Sequence, residues 1–476
     1  MMSDCIASQN PYQKTYCNPT PLPDYPLGKV CRDGAERLMD FRETADPTVL
    51  YEDGVWYLYP SCGMAYRSED FIHWEHIPMI PDEIGYAPTV VKHRGRFLLL
   101  ASGSQMYQSD CPTGPFSPMG PLRDVHGNAV GVSDPDLFAD GDRLYLYSGC
   151  GGEIRGVELD ADDPCRMLGE NVRMFAMQTE EHPWERMGDH GEDGSFSWIE
   201  GAWMYKRGDT YYLTYSAPGT EWYTYGMGAY KSHAPLGPWE YMTCSPFLQS
   251  ERGLVRGTGH GCLVDGPNGT TWVFYTCCVC YAHMFERRIG YDLLNFDENG
   301  DIIPMQASES PRLAPTFLPE PYQSHACDLV PLSQRKPTVA SSCAPGRDAL
   351  YATDDSMLSF WQPDAAEAEP TLTVRLSEKC VATVVSARLI WRDVGLDIEK
   401  GHLPGAFGYR IEACTPDGEW QLLSDRSDSK TDMLIDYIVF DQPLAANRVR
   451  LTITGKPPHI EPGLINFTVF GHRIRA

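Results

Sequence analysis

Three acidic residues open phrases of the same form: Asp46 in DPTVLYEDGVWYLYPS, Asp134 in DPDLFADGDRLYLYSG and Glu200 in EGAWMYKRGDTYYLTYS. On a solvated turn an acid is unremarkable, and three capping or turn residues are the plain alternative. At the mouth of an inner strand an acid costs desolvation unless it has a partner or a task. Two opposed carboxyl groups are what cleavage of a glycosidic bond needs. One, kept protonated, gives its proton to the leaving oxygen; the other, ionised, activates water on the opposite face. A third acid nearby raises the proton donor's pKa and holds it in place.

Two further phrases complete the set that must position these acids: APTVVKHRGRFLLLAS from Ala87 and GHGCLVDGPNGTTWVFYT from Gly259. All five read as an apolar stretch, a polar turn and an aromatic-rich strand ending in a small residue. The turns EDG, HRG, ADGD, KRGD and DGPNG carry the Gly, Asp and Asn that tight hairpins demand. Three hairpins are followed by a strand, a Ser-containing turn and a Trp or Phe, as in AYRSEDFIHWEHI (65–77), MYQSDCPTGPFSPM (106–119) and AYKSHAPLGPWEYM (229–242). Starts at 46, 87, 134, 200 and 260 lie 41, 47, 66 and 60 residues apart, close to one propeller blade plus loops. The expectation is an all-β chain whose residues 40–310 form a five-bladed β-propeller; a β-sandwich array is the runner-up. In a propeller the first strand of each blade lines the axis, so Asp46, Ala87, Asp134, Glu200 and His260 are expected to converge. Residues 1–39 are expected to be an extension packing on the propeller, 311–335 a Pro- and Ser-rich linker, and 336–476 a second, strand-rich β-sandwich.

Composition narrows the partners. With 65 acidic and 39 basic side chains the formal charge is −26, which repels polyphosphate and anionic membranes but not a neutral sugar. No nucleic-acid or membrane partner is expected, and an oligosaccharide is. The 26 Tyr and 11 Trp suit strand faces and also stack on sugar rings. The N-terminal MMSDCIASQNPYQKTYCNPTPLPDYPLG has neither a basic start nor an apolar run, so a cytoplasmic location is expected. The 16 cysteines are irregularly spaced, without paired C-x-x-C elements, and read as reduced structural thiols.

Taken together, residues 40–310 resemble glycoside hydrolase family 43. The resemblance implies Asp46 as general base, Asp134 as the acid that tunes and orients the donor, and Glu200 as general acid. WIEGAWMYKRGDTYYLTYS and the fifth-repeat GTGHG are its most specific parts. It further implies that His260 faces a central channel and holds a calcium ion through water or steadies the site; a buried histidine bonded to backbone is the alternative. No cofactor is required. Arg287, in FERRIGYDLLNFDENGD, matches a substrate-binding arginine, with a structural salt bridge as the other reading. In the loop APGTEWYTYG, Trp222, Tyr223 and Tyr225 are candidate walls for a sugar ring, with buried packing the other reading for at least one of them, and Trp203 is a further substrate-binding candidate. Thr89 stands where many members carry an acid, which bears on sugar preference.

The C-terminal part resembles the discoidin-like (coagulation factor 5/8 type C) galactose-binding sandwich through ALYATDDSMLSFWQP (349–363) and RVRLTITGKPPHIEPGLINFTVFG (448–471), as a structural prop or weak glycan binder. The activity expected is inverting, exo-acting release of a terminal pentose, by a β-D-xylosidase or α-L-arabinofuranosidase. A galactofuranosidase or galactan-active enzyme, or a non-catalytic glycan-binding propeller, are the alternatives. The sequence sets no oligomeric state.

Overall fold

The computed structural model describes residues 10–473 apart from 33–34, 62, 79–83 and 378–380. The chain is all-β and divides into two compact units, one of Pro26–Ser308 with Pro319–Ser324, the other of Glu309–Leu318 and the residues from His325 onward, together with the N-terminal segment up to Tyr25.

Each expected repeat of the first unit is an antiparallel sheet. The first is Thr48–Glu52, Val55–Tyr59, Met64–Ser68 and Glu75–Pro78; the second is Thr89–His93, Arg96–Leu100, Met106–Ser109 and Ser117–Gly120. The third is Asp136–Asp140, Arg143–Ser148, Glu153–Leu159 and Val172–Ala176. The fourth runs Ile199–Arg207, Thr210–Ala217, Gly226–Ser232 and Glu240–Tyr241, extended by Cys150–Gly151 beside its first strand. Gly259–Asp265, Thr271–Cys278 and Arg287–Leu294 make the fifth.

Apolar side chains fill the space between successive sheets, for instance Tyr59, Val90 and Leu99 between the first and second, and Leu98, Leu137 and Leu146 between the second and third. The fifth sheet packs back on the first through rings: Phe71 lies 4.9 Å from Trp272 and 4.4 Å from Tyr291, edge to face. Such pairs add about 0.5–1.5 kcal/mol each beyond their buried area.

A second device repeats with the sheets. A Ser or Thr at the end of one sheet's second strand accepts the backbone N–H of the residue that opens the next. Ser61 accepts from Ala87 (2.9 Å), Ser102 from Asp134 (2.8 Å), Ser216 from His260 (2.6 Å) and Thr276 from Asp46 (2.9 Å). Between the third and fourth sheets a short strand pairing replaces the hydroxyl, with Cys150 opposite Glu200.

In the second unit one sheet is ordered Val330–Pro331, Glu461–Arg473, Ala382–Val394 and Ile435–Ala446. The other is ordered Thr338–Ala340, Thr371–Arg375, Arg448–Gly455, Gly408–Cys414 and Trp420–Asp425. The placement of Asn10–Tyr25 differs from the expected 1–39 extension of the repeat domain, for a physical reason. Arg388 is almost fully buried, and its guanidinium donates to the carbonyls of Asn18 and Glu309, which residues 10–25 and the segment Glu309–Leu318 supply within this unit. Thr15–Tyr16 also pairs with Arg312–Leu313, and the Asn10 amide donates to the carbonyl of Phe440. Residues 1–9 lie outside the described residues. Among those described, no helix is long and apolar enough to cross a membrane.

Candidate active site

The opening residues share a backbone conformation that explains where their side chains go. Asp46, Ala87, Asp134 and His260 have φ of 51°, 49°, 47° and 39°, the left-handed region that non-glycine residues seldom adopt without cause. In the fourth sheet the left-handed residue is Gly201 (φ 59°), not Glu200. Glu200 therefore stands one residue earlier than Asp46 and Asp134, at the position that Gly259 takes in the fifth sheet, and both sheets carry a register irregularity there. The expected equivalence of Glu200 with the other openings is corrected by that one residue. A Cβ on Gly201 would lie 2.8 Å from Cγ of His260, so glycine is also required by space.

The side chains form a chain of contacts. Asp46 is buried; its Oδ2 accepts from the Ser61 hydroxyl (2.6 Å), and Nη1 of Arg287 donates to its Oδ1 at 2.9 Å. Nδ1 of His260 lies 3.3 Å from Oδ1 of Asp46 and 3.8 Å from Oδ2 of Asp134. Oδ1 of Asp134 accepts from the Ser102 hydroxyl at 3.2 Å. Ligand-capable atoms of Asp134, Cys150 and Glu200 lie within 4.8 Å of one another. Glu200 accepts from the Tyr225 hydroxyl at Oε1 (2.6 Å) and from the Cys150 thiol at Oε2 (3.3 Å). Asp46, Asp134, Glu200 and His260 thus lie together in the structure.

Electrostatics separates the roles. Burial pushes the Asp46 carboxyl up, but Arg287, His260 and Ser61 outweigh it and hold the group below the ordinary carboxylate range. It is ionised at neutral pH. Burial raises Glu200 to about 7 against the Tyr225 and Cys150 donors, and the charge of Asp46 adds to the rise. Asp134 is raised to about 7 by burial, opposed by His260 and reinforced by Glu200 and Asp46. Asp134 and Glu200 titrate as a pair that holds a proton near neutrality. One permanent anion faces a proton-holding pair, the division of labour that acid–base cleavage uses.

Several expectations change. Arg287 does not present a free fork to a ligand: Nε donates to Oε1 of Glu43 (2.8 Å) while Nη1 serves Asp46, with all three side chains buried. It positions and charges the base. Glu43 is a functional residue that sequence reasoning missed; it lies three positions before Asp46 and outside the repeated phrase. Trp203 is turned into the core between the fourth and fifth sheets, its indole N–H donating to the carbonyl of Leu263 (2.9 Å), so it is not a sugar-facing wall. Thr89 is fully buried, and its Oγ1 accepts the N–H of Leu137 at 3.1 Å, tying the second sheet to the third instead of facing a substrate.

Trp222 and Tyr223 sit on the loop that ends in Tyr225, and neither is hydrogen-bonded to the three acids. The Arg256 guanidinium lies 3.9 Å from the centre of the Tyr223 ring, and the buried indole N–H of Trp222 has no partner among the described residues. An aromatic that was not singled out, Trp198, precedes Glu200 by two residues and is 41% exposed.

Calcium near His260 fits these residues poorly. Its Nδ1 is engaged with Asp46 and Asp134, and the donor set that converges beside them includes a thiol, whereas calcium takes six to eight oxygen ligands.

Residues 41–302 match the family model for glycosyl hydrolases family 43. The chain is similar to a β-D-galactofuranosidase of Aspergillus niger, 24% identical over 302 residues, covering 55% of this chain and 82% of that one. It is similar to a xylosidase/arabinosidase of Butyrivibrio fibrisolvens (24% identical; 52% of this chain and 48% of that one). A non-reducing end α-L-arabinofuranosidase of Bacteroides ovatus is 26% identical, over 55% of this chain and 47% of that one. The chain thus spans about half the length of the latter two. Among solved structures, a thermostable family-43 glycoside hydrolase aligns with 63% of this chain and 99% of its own at 20% identity and a TM-score of 0.49. With the match running through more than half of its residues, this chain belongs to glycosyl hydrolases family 43 and is a glycoside hydrolase.

Proposed function

We propose that the chain is an inverting, exo-acting glycosidase that removes a terminal pentose, β-D-xylose or α-L-arabinofuranose, from an oligosaccharide. The carrying observation is the contrast between Asp46, fixed as an anion by Arg287, and Glu200, raised by burial to hold a proton. Asp46 takes a proton from water as its oxygen attacks the anomeric carbon. Glu200 gives its proton to the departing oxygen as the glycosidic bond breaks. Burial and the charge of Asp46 keep the proton affinity of Glu200 high, Asp134 is its partner in the proton-holding pair, and the Tyr225 hydroxyl and Cys150 thiol stabilise the carboxylate that remains. Trp198 is our candidate for the ring wall.

The scaffold reading is a closed five-bladed propeller followed by a β-sandwich. It is supported by the contacts that run from each sheet to the next and from Thr276 of the fifth to Asp46 of the first. A galactofuranosidase is the second reading, favoured by the relative matched over 82% of its length. Hydrolysis of p-nitrophenyl β-D-xyloside, α-L-arabinofuranoside, β-D-galactofuranoside and β-D-galactoside separates the two. Turnover of a pentoside at least tenfold faster than the galactofuranoside supports the first reading; the reverse order replaces it with the second.

A further inference from the structure

The strand Thr271–Cys278 carries Thr276, whose hydroxyl accepts the N–H of Asp46, and it ends at a thiol with no part in the acid–base chemistry. Cys278 is buried, its sulfur 2.7 Å from the carbonyl oxygen of Thr220 and 3.2 Å from that of Gly257. A Cβ on Gly257 (φ 57°) would stand 2.8 Å from that sulfur, so the glycine makes room for the thiol. Just past the strand, Cys280 takes the left-handed conformation (φ 51°) and stays partly exposed. Its sulfur lies 3.4 Å from the carbonyl oxygen of Met284 and 3.8 Å from that of Thr220. Two thiols therefore meet at one carbonyl, one enclosed and one within reach of solvent.

That carbonyl opens the loop that reaches the acid. The N–H of Tyr225 donates to the carbonyl of Trp222 at 3.1 Å, and the Tyr225 hydroxyl donates to Glu200. The thiols thus hold one end of a segment whose other end holds the proton donor. Their surroundings also divide the two sulfurs. The Cys278 thiol, helped by the Arg256 and Arg287 guanidinium groups, holds Cys280 below the ordinary thiol range against its burial. Burial raises Cys278 well above that range. A partly exposed thiolate beside a protonated thiol is the arrangement that peroxides convert to a disulfide.

We propose that Cys278 and Cys280 form a redox modification site, at which hydrogen peroxide closes a disulfide and frees the loop 220–225. The Cys280 thiolate attacks one peroxide oxygen, forming an S–O bond as the O–O bond breaks. The departing hydroxide takes up the proton that Cys280 had released and leaves as water. The Cys278 sulfur then attacks that of Cys280; the S–S bond forms, the S–O bond breaks, and the Cys278 proton leaves with hydroxide as a second water. The two thiols lose two electrons and the peroxide gains them. The disulfide has no S–H, so the Thr220 carbonyl loses both donors and Tyr225 loses its hold on Glu200.

The test is treatment of the full chain with hydrogen peroxide, followed by peptide mass mapping and by kcat/KM of an aryl glycoside against pH. The expected products are a Cys278–Cys280 linkage and an alkaline limb moved upward. Below that limb kcat/KM should fall by about tenfold or more, the worth of one hydrogen bond to a carboxylate. Dithiothreitol should reverse all three changes. Cys280→Ser, which keeps a hydroxyl donor, should have the untreated parent's rate and resist peroxide. Cys150→Ser should keep the same fractional response, which excludes oxidation of the thiol at Glu200 as its source. Absence of the linkage, a response retained by Cys280→Ser, or a linkage that moves neither rate nor limb would each overturn the inference.

Discussion

Replacing Tyr225 by Phe removes one hydroxyl and leaves the ring in place, so it isolates what that donor does to Glu200. The hydroxyl donates to Oε1 at 2.6 Å, and Tyr225 has no solvent exposure. A donor to a carboxylate favours the ionised form, so this bond lowers the proton affinity that burial raises. Hydrogen bonds to charged groups are worth about 1.5–3 kcal/mol. At about 1.4 kcal/mol per pH unit, losing one shifts the group upward by roughly one to two units. Activity requires Glu200 protonated, so it is present below the apparent pKa and is lost as pH rises through it. In the parent the alkaline limb of kcat/KM falls near the value of about 7 set for Glu200. In Tyr225→Phe that limb should move up by roughly one unit or more, read from rates on a glycoside whose leaving group needs protonation. A limb that stays in place, or moves down, refutes the assignment of Glu200 as the proton donor tuned by Tyr225.

Asp46→Ala and Glu200→Ala should each lower the rate by about 10²–10⁴-fold, and a dinitrophenyl leaving group should partly restore Glu200→Ala alone; equal behaviour of both variants on both substrates contradicts the roles. Arg287→Met leaves Glu43 and Asp46 buried without their cation, and should destabilise the fold by about 3–5 kcal/mol in urea unfolding while abolishing most activity. Gly201→Ala must hold φ near 59° with its Cβ against His260, and should cost about 1–3 kcal/mol and lower kcat. Gly208→Ala, with φ 60° but open space around it, should cost less and leave kcat unchanged, measured by thermal unfolding and turnover on one substrate.

The repeats were legible because each hairpin carries its own turn chemistry, and that is a local property of the chain. Aligning them on the acids finds Asp46 and Asp134 at one equivalent position. It misplaces Glu200 by one residue, because the acid stands one position before the left-handed residue Gly201, which shows only when the apolar positions Leu137 and Met204 are matched across sheets. The Met204 N–H donates to the Asp136 carboxylate at 2.7 Å, and counting back three from Met204 gives Gly201. The same slip explains Trp203. With a side-chain period of two, one residue decides whether a ring faces the site or the core. Arg287 was found by its motif, but its task was not, since its partners Glu43 and Asp46 lie 244 and 241 positions away. Cys150 escaped notice because it sits just past a hairpin and reaches Glu200 only through the short pairing of Cys150–Gly151 with the fourth sheet. The grouping of residues 10–25 with the C-terminal sheets depends on the buried Arg388, whose need for carbonyl acceptors no local pattern reveals.

The central claim is that Asp46 activates water on the face of the sugar opposite to Glu200. The most direct measurement is proton NMR of the first-formed product during hydrolysis of the best aryl glycoside, recorded before mutarotation. The account predicts the anomer of opposite configuration to the substrate. Retention of configuration would make Asp46 a nucleophile forming a glycosyl–enzyme bond, and would contradict it.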